Sequence, residues 1–511
     1  MVDEHGEEPA GTREGTEDAG GLGEMVANPA TGGPAAAAPR DAAPAEPEGD
    51  RTAERGLGSR FHKLWAASTV SNLGQGAAAI AFPWLATTLT HNPVLIALNG
   101  VAVRLPWLLF SLPAGVLADR LDRRRVLVAM SAARAGIVGV VALLVAWDAV
   151  NLPLLYCCAL VLGFVEVLFD NTAQVLTPSV VDRKRLAAAN GRLMSAQIVA
   201  DSFLARPLSG ALIAVAVAAP FVFDATAAVV SLVLLLTLRG HYRAGPGIPA
   251  QPGPAATAAA AGEPGAAAGS TGGERGTRNG QDGKSATRAA GLRLLRADIR
   301  EGVAWLWRHP LVRPLAISLA VLNLVGAAVE ANYVLFAQEI LDLGPVGFAV
   351  LTSVLGVGGL LGGLCAAGVV ARLGTARSLL LLIGLEVTAH TTAALASNVY
   401  LVGAGSVAVG FGSVVWNVTT VSLRQSLVPD RLLGRVNSVY RLLGWGSIPL
   451  GMVAGGALVS AVEALWGREA GLRAPFVLGA VLVLAMVGYM RHHLNERAIR
   501  EALAASRAKP A

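Results

Sequence analysis

The sequence predicts an all-α membrane protein, with twelve transmembrane helices in two related six-helix halves. Three observations predict it: long apolar stretches with few charges, a lysine and arginine content that alternates between successive loops, and an internal repeat that relates one half to the other.

The apolar stretches set the class. Hydrophobic residues make up 54% of the 511-residue chain and charged residues only 15%, against about 25% in an ordinary soluble domain. Segments such as Leu64–Leu89, Val126–Trp147, Leu154–Val175 and Phe348–Val370 approach or exceed the roughly 20 residues a helix needs to cross a bilayer. They mostly lack the polar face of a soluble core helix. The predicted spans of the first half are 64–89, 94–118, 124–147, 152–177, 192–218 and 220–239. Those of the second are 314–338, 346–371, 378–397, 399–423, 437–462 and 474–491.

Between and around them the composition changes. Residues 1–58 read as a disordered polar N-terminal tail with few large apolar side chains to bury. Residues 59–243 form the first bundle, and 244–290, rich in Ala, Gly, Pro and Thr, a flexible cytoplasmic linker. Residues 291–493 comprise an amphipathic basic lead-in carrying Trp305 and Trp307 and then the second bundle, and 494–511 are a cytoplasmic tail. The polar N-terminus has no apolar signal core, so the first span is expected to direct insertion.

Loop charges give the orientation. Lys and Arg cluster at 120–125, 183–185, 239–313, 372–377, 431–435 and beyond 491, while loops 90–93, 148–151, 219, 339–345 and 398 contain none. The positive-inside rule then puts both termini in the cytoplasm of a cell-membrane protein. Only loop 463–473 breaks the pattern, with Arg468 and Arg473 beside Glu463 and Glu469. Topology also accounts for the net charge of +6 without nucleic acid. Cys157, Cys158 and Cys365 have no metal-ligand spacing, so no metal or cofactor is expected. A single chain, a monomer, is expected to suffice.

The repeat is gapless over its clearest part. One shift lays Gly163-Phe164 on Gly410-Phe411, Thr172 on Thr419, Leu176 on Leu423, Ser179 on Ser426, Val181 on Val428 and Asn190 on Asn437. The string APFV opens the sixth span at Ala219 and recurs at Ala474. Parallel six-helix repeats are one of the known transporter plans.

The loop after the second span reads GVLADRLDRRR, from Gly115 to Arg125. It resembles the signature of the major facilitator superfamily through Gly115, Asp119, Arg120, Arg123 and Arg124, with Asp122 where the signature has glycine. A small residue permits close helix approach, the carboxylate can meet a helix N-terminus, and the arginines can bind opposing acids or lipid phosphates. In that family the contact latches one conformation; the competing reading is an ordinary basic loop. The stretches Leu64–Thr90, Glu166–Arg192 and Gly434–Gly451 are similar to a drug-exporter group that includes macrolide efflux proteins and the enterobactin exporter. The resemblance implies proton-coupled efflux of an amphipathic small molecule by alternating access, with protons and membrane lipids as further partners. Two departures stand out: LARPLSGAL in the fifth span keeps Pro207 and Gly210 of the antiporter signature but inserts Arg206, and the fourth span offers Glu166 where many proton-driven exporters carry arginine.

Charges within spans are the candidate coupling residues, since each costs roughly 2.5–3.5 kcal/mol at mid-bilayer unless paired. Arg104 lies near the middle of the second span, and Glu166 and Asp170 lie one turn apart on the fourth. The expectation is that Arg104 neutralises one of these acids while the other titrates; a permanent structural ion pair is the competing reading. Asp201 and Arg206, five residues apart, fall on different faces of an α-helix, so each is expected to pair elsewhere. Arg134, Asp224 and Arg441 lie nearer span ends, where reaching the interface suffices. The family's architecture places helices one, four, seven and ten around the cavity, so Asn323, Glu330, Trp416 and Asn417 join Glu166 and Asp170 as cavity candidates. Trp84, Trp107 and Trp445 are further aromatic candidates, Trp84 being read as an interface anchor. Glu386, on a peripheral span, reads as a buried structural acid, and His390 as a packing residue. The sequence offers no convergent catalytic constellation and no phosphate loop. The alternatives to efflux are a transporter-like sensor or scaffold, and a lipid flippase.

Overall fold

Several helices start where the sequence supplies a cap. Asn92 accepts from the backbone N–H of Val94 and Leu95, Asp122 from Arg125, Asn151 from Leu154, and Asn398 from Tyr400 and Leu401. Proline stands in the first turn of the helices after Asn92 and Asn151 as well, and of two others, where its missing N–H costs nothing. The computed structural model describes residues 57–182, 185–238, 300–494 and 496–508. In the first half these form α1 (Ser59–Leu89), α2 (Pro93–Arg120), α3 (Arg123–Ala146), α4 (Leu152–Val180), α5 (Leu186–Val215) and α6 (Ala219–Leu236). After a short lead-in helix over 300–308, the second half comprises α7 (Val312–Glu339), α8 (Pro345–Leu373), α9 (Thr375–Leu395), α10 (Val399–Leu427), α11 (Asp430–Trp466) and α12 (Arg468–His493). A tail helix, α13 (Glu496–Ala508), follows. The expected tail up to residue 56 and the linker 244–290 lie outside the described residues.

The twelve-helix architecture is the one the sequence predicts. Among the described helices, 11 are long and apolar enough to span a membrane on those grounds alone. The twelfth, α1, carries Ser68, Thr69, Ser71, Asn72 and Gln75, which dilute its hydropathy. Ser68, Ser71 and Asn72 are buried, so the polar stripe faces protein rather than lipid.

Two sets of helix ends result. Loops 90–92, 147–151, 216–218, 340–344 and 396–398 gather at one end (the loop-90 end); 121–122, 181–182 and 428–429 gather at the other (the loop-121 end). Within the halves α1 packs on α6, α2 on α4, α7 on α11 and α8 on α10; α2 against α11 and α5 against α8 join the halves. Glycine permits both seams. A Cβ on Gly456 of α11 would fall 2.8 Å from Ala97 Cβ, and one on Gly210 of α5 would fall 2.7 Å from the Pro345 carbonyl. At the loop-90 end an apolar cluster crosses the boundary, with Phe82 and Leu85 alongside Leu335 and Phe348.

The structure corrects the loop expected at 463–473. α11 runs for 37 residues, about 55 Å at 1.5 Å per residue, and overshoots the roughly 30 Å hydrocarbon layer. Gly467 alone, at φ 87, separates it from α12. The two arginines that broke the charge pattern are held there. Arg468 binds Glu339 through two nitrogens and Glu463 through a third, all at 2.8 Å. Arg473 binds Glu469 and donates to the carbonyls of Ala394 and Ala396 at the end of α9. Paired and capping cations of this kind are not free loop charge.

Candidate functional site

The charged residues of the spans do gather between and within the bundles, with partners other than those expected. Arg104 of α2 does not reach Glu166 or Asp170. Its Nη2 donates to Glu330 Oε1 of α7 at 2.9 Å, joining the two halves, because the α2 face that bears it turns across the seam toward α7. The pair is open, with side-chain exposures of 43% and 54%. Glu166 and Asp201 lie near enough to act on Arg104 electrostatically. Among the described residues neither Glu166 nor Asp170 forms a hydrogen bond or ion pair; both are half-buried on α4.

Arg134 and Asp224 do not reach for the interface. They form a bidentate pair, Nε to Oδ1 at 2.9 Å and Nη2 to Oδ2 at 2.8 Å, with exposures of 7% and 1%. The pair bridges α3 and α6 at mid-bundle, where Gly74 of α1 leaves room for the Asp224 carboxylate. A cavity of about 10 Å³, lined by Gln75, Ser131, Arg134 and Glu166, lies beside it.

Asp201 and Arg206 were expected on different faces and instead pair with each other at 3.0 Å. Residues Val199–Ala205 form a π-turn, just before Pro207, which has no N–H for the helix ladder. On an α-helix residues five apart sit about 140° around the axis; the residue a π-turn inserts restores near-alignment. The same turn lies against Gly76 of α1, and Ser202 lies against Gly356 of α8.

The aromatic candidates divide. Trp107 and Trp445 stack across the α2–α11 seam, centroids 6.0 Å apart at 24°. Trp84 is half-buried against Phe348, so it bridges α1 and α8. Trp416 is not presented to a cavity. It is 6% exposed in the core cluster of the second half, its Nε1 without a partner among the described residues. Asn417 beside it is exposed, and Asn323 donates to the Gly444 carbonyl of α11 at 2.8 Å.

Of the loop motif, the side chains of Gly115, Asp119 and Arg120 lie outside the described residues. Arg123 donates to Ser179 Oγ at 2.9 Å, and Arg124 to the Leu235 and Leu236 carbonyls at the end of α6. Among the described residues these two arginines therefore serve neighbours in their own half, a helix C-terminus included. Asp122, the departure from the signature, is the N-cap of α3 at φ −67, a conformation that needs no glycine.

A family model described as "Major Facilitator Superfamily" matches residues 64–452. The chain belongs to the Major Facilitator Superfamily. This superfamily member is a multi-pass membrane transporter and not an enzyme. It is 27% identical over 448 residues to the multidrug efflux pump Tap of Mycolicibacterium fortuitum, covering 85% of this chain and 95% of that one. Solved structures share the fold at low identity. A variant of the nucleoside transporter NupG superposes with a TM-score of 0.62 at 11% identity, covering 85% of this chain and 100% of the other. A bacterial homologue of the human lysosomal transporter Spinster gives 0.61 at 15%, covering 88% and 98%. A bacterial homologue of the iron transporter ferroportin gives 0.58 at 17%, covering 84% and 98%.

Hydropathy reasoning located the charges of this transporter but missed which of them meet. Arg134 with Asp224 left no signal in spacing, since the partners are on separate helices. Asp201 with Arg206 left one, the proline directly after the arginine.

Proposed function

We propose that this transporter exports an amphipathic small molecule (a drug, a macrolide-like compound or a siderophore) across the cell membrane in exchange for protons. The similarity to a multidrug efflux pump over 85% of the chain carries this reading. The site supplies a means. Glu166 and Asp170 stand unpaired on α4, near enough to Arg134 to feel its charge, and α4 is a cavity-lining helix in this family. Either acid can take up a proton, and Arg104 and Arg134 set how readily it is released.

With the loop-121 end cytoplasmic, as its arginines indicate, both termini are cytoplasmic too. The conformation is then closed outside: Gln338 donates to Thr87 Oγ1 at 3.1 Å and Arg468 to the His91 carbonyl at 3.0 Å, both across the halves. In the exchange, two six-helix units rock about the fixed central site. The Gly115, Asp119, Arg120, Arg123 and Arg124 loop steadies one of the two states.

Purified protein in proteoliposomes with an imposed pH gradient tests this. Gradient-driven movement of a macrolide or cationic dye is expected, with Asp170→Asn or Glu166→Gln binding substrate but failing to concentrate it. Inert vesicles across a broad panel would point to the sensor or scaffold, and lipid movement alone to a flippase.

A further inference from the structure

The two halves can be compared position by position at the packing of their third and sixth helices. Aligning the first residues of α3 and α9, Arg123 and Thr375, places Arg134 on Glu386. Aligning the repeated APFV strings places Asp224 on Gly479. The equivalent of the permanent Arg134–Asp224 pair is thus an acid on one helix and a glycine on the other.

The space is filled from α9 itself. His390, one turn after Glu386, places Nδ1 at 3.6 Å from Glu386 Oε2, with side-chain exposures of 8% and 17%. The same Nδ1 lies 2.8 Å from the Glu386 carbonyl, so it carries a hydrogen and donates to it. The ring lies over Gly479, where a Cβ would fall 2.6 Å from His390 Cδ2, and beside Phe476 at 6.4 Å. With Nδ1 committed, Nε2 remains as the nitrogen that can gain or lose a proton.

Other charged and titratable groups around α9 are engaged or distant. On α12, Arg473 serves the carbonyls at the end of α9. On α7, Tyr333 shares a hydrogen bond with Ser406 of α10, while Glu330 faces Arg104. On α10 the charged residue is Arg424, seated over the Tyr440 ring at 3.8 Å. On α8 it is Arg372, in the last turn at the loop-121 end, and on α13 Glu496 caps α9 at that end through Ala376 N–H at 2.8 Å.

We propose that Glu386 and His390 form a proton-binding site of the second half, set where the first half carries a fixed ion pair. An arginine–aspartate pair holds its charge through the physiological range, whereas a glutamate–histidine pair exchanges one proton and changes its net charge by one. Two tautomeric arrangements of the loaded pair, carboxylic acid with neutral ring or carboxylate with imidazolium, are both neutral overall. The site lies between α9 and α12, apart from the Arg104–Glu330 boundary, and its existence does not depend on what the transporter exports.

Infrared titration of the full chain in liposomes, read in the protonated-carboxyl region, tests it without any substrate. One titrating carboxyl component is expected to vanish in Glu386→Gln. In His390→Gln its midpoint is expected to move by more than about one pH unit, the mark of coupled groups. Spectra of Glu386→Gln that superpose on wild type would overturn the proposal, as would an unmoved midpoint in His390→Gln. Nitrogen NMR of histidine-labelled wild-type protein needs no change at 386: the His390 ring signal should follow the carboxyl midpoint, and a signal static across the titration would overturn the pair.

Discussion

Arg104 of α2 and Glu330 of α7 meet at 2.9 Å across the boundary between the two halves, so a state that draws α2 away from α7 separates them. Their residual exposure keeps the interaction modest, at most about 1 kcal/mol for a solvent-screened pair. Glu330→Gln should therefore shift the balance toward the opposite state by no more than about fivefold. Spin-label distances between positions flanking residues 91 and 397 measure it; an unchanged distribution would mean the pair holds nothing shut.

The buried pair behaves differently. Arg134→Ala leaves Asp224, 1% exposed, without its cation. Removing one member of a buried pair costs about 3–5 kcal/mol, whereas replacing both with apolar residues of similar volume is often nearly neutral. Thermal unfolding in detergent should show a large loss for Arg134→Ala and a much smaller one for Arg134→Met with Asp224→Leu. Equal losses would contradict a pairing role.

Gly74 makes a related prediction. A Cβ there collides with the Asp224 carboxylate. Gly74→Ala should destabilise by about 1–3 kcal/mol through that forced shift, and the loss should shrink in an Asp224→Ala background. Additive losses would show the two positions to be independent.

At the loop-90 end, Arg468 ties Glu339, Glu463 and the His91 carbonyl into one clamp. Arg468→Ala should raise labelling of a cysteine placed at position 91 by an impermeant thiol reagent severalfold, more at low salt than at high because wild type itself loosens as screening grows. Labelling unaffected by the substitution would remove the clamp from the closure.

His309 gives a pH dependence. Its Nδ1 accepts from the backbone N–H of Leu311 and Val312 at 3.2 Å, capping α7, and Trp305 covers its ring. Burial holds its pKa below the ordinary value. With a depressed folded pKa, the stabilisation is present above the unfolded value, about 6.5, and is lost as pH falls through the folded one. Unfolding temperature should drop over that acid interval in wild type. His309→Asn, a cap that cannot protonate, should lack this component, and His309→Ala should lose about 1 kcal/mol at neutral pH. Parallel profiles for wild type and His309→Asn would rule the cap out as the sensor.

The sequence by itself determined the spans, their order and the internal repeat. Hydropathy, caps and loop charge are local quantities, and the bilayer imposes one length and one charge rule on every segment. It also located the costly residues, from Arg104 to Glu386. Tertiary structure alone decided the partners. Arg104 chose Glu330 because α2 rotates its face toward the other half. Arg134 met Asp224 because α3 and α6 cross at that depth, and Trp107 met Trp445 at a seam no spacing encodes. Even within one helix, a single π-turn placed Asp201 over Arg206. Pairing depends on rotation, tilt and register between helices, which packing fixes jointly and no single segment carries.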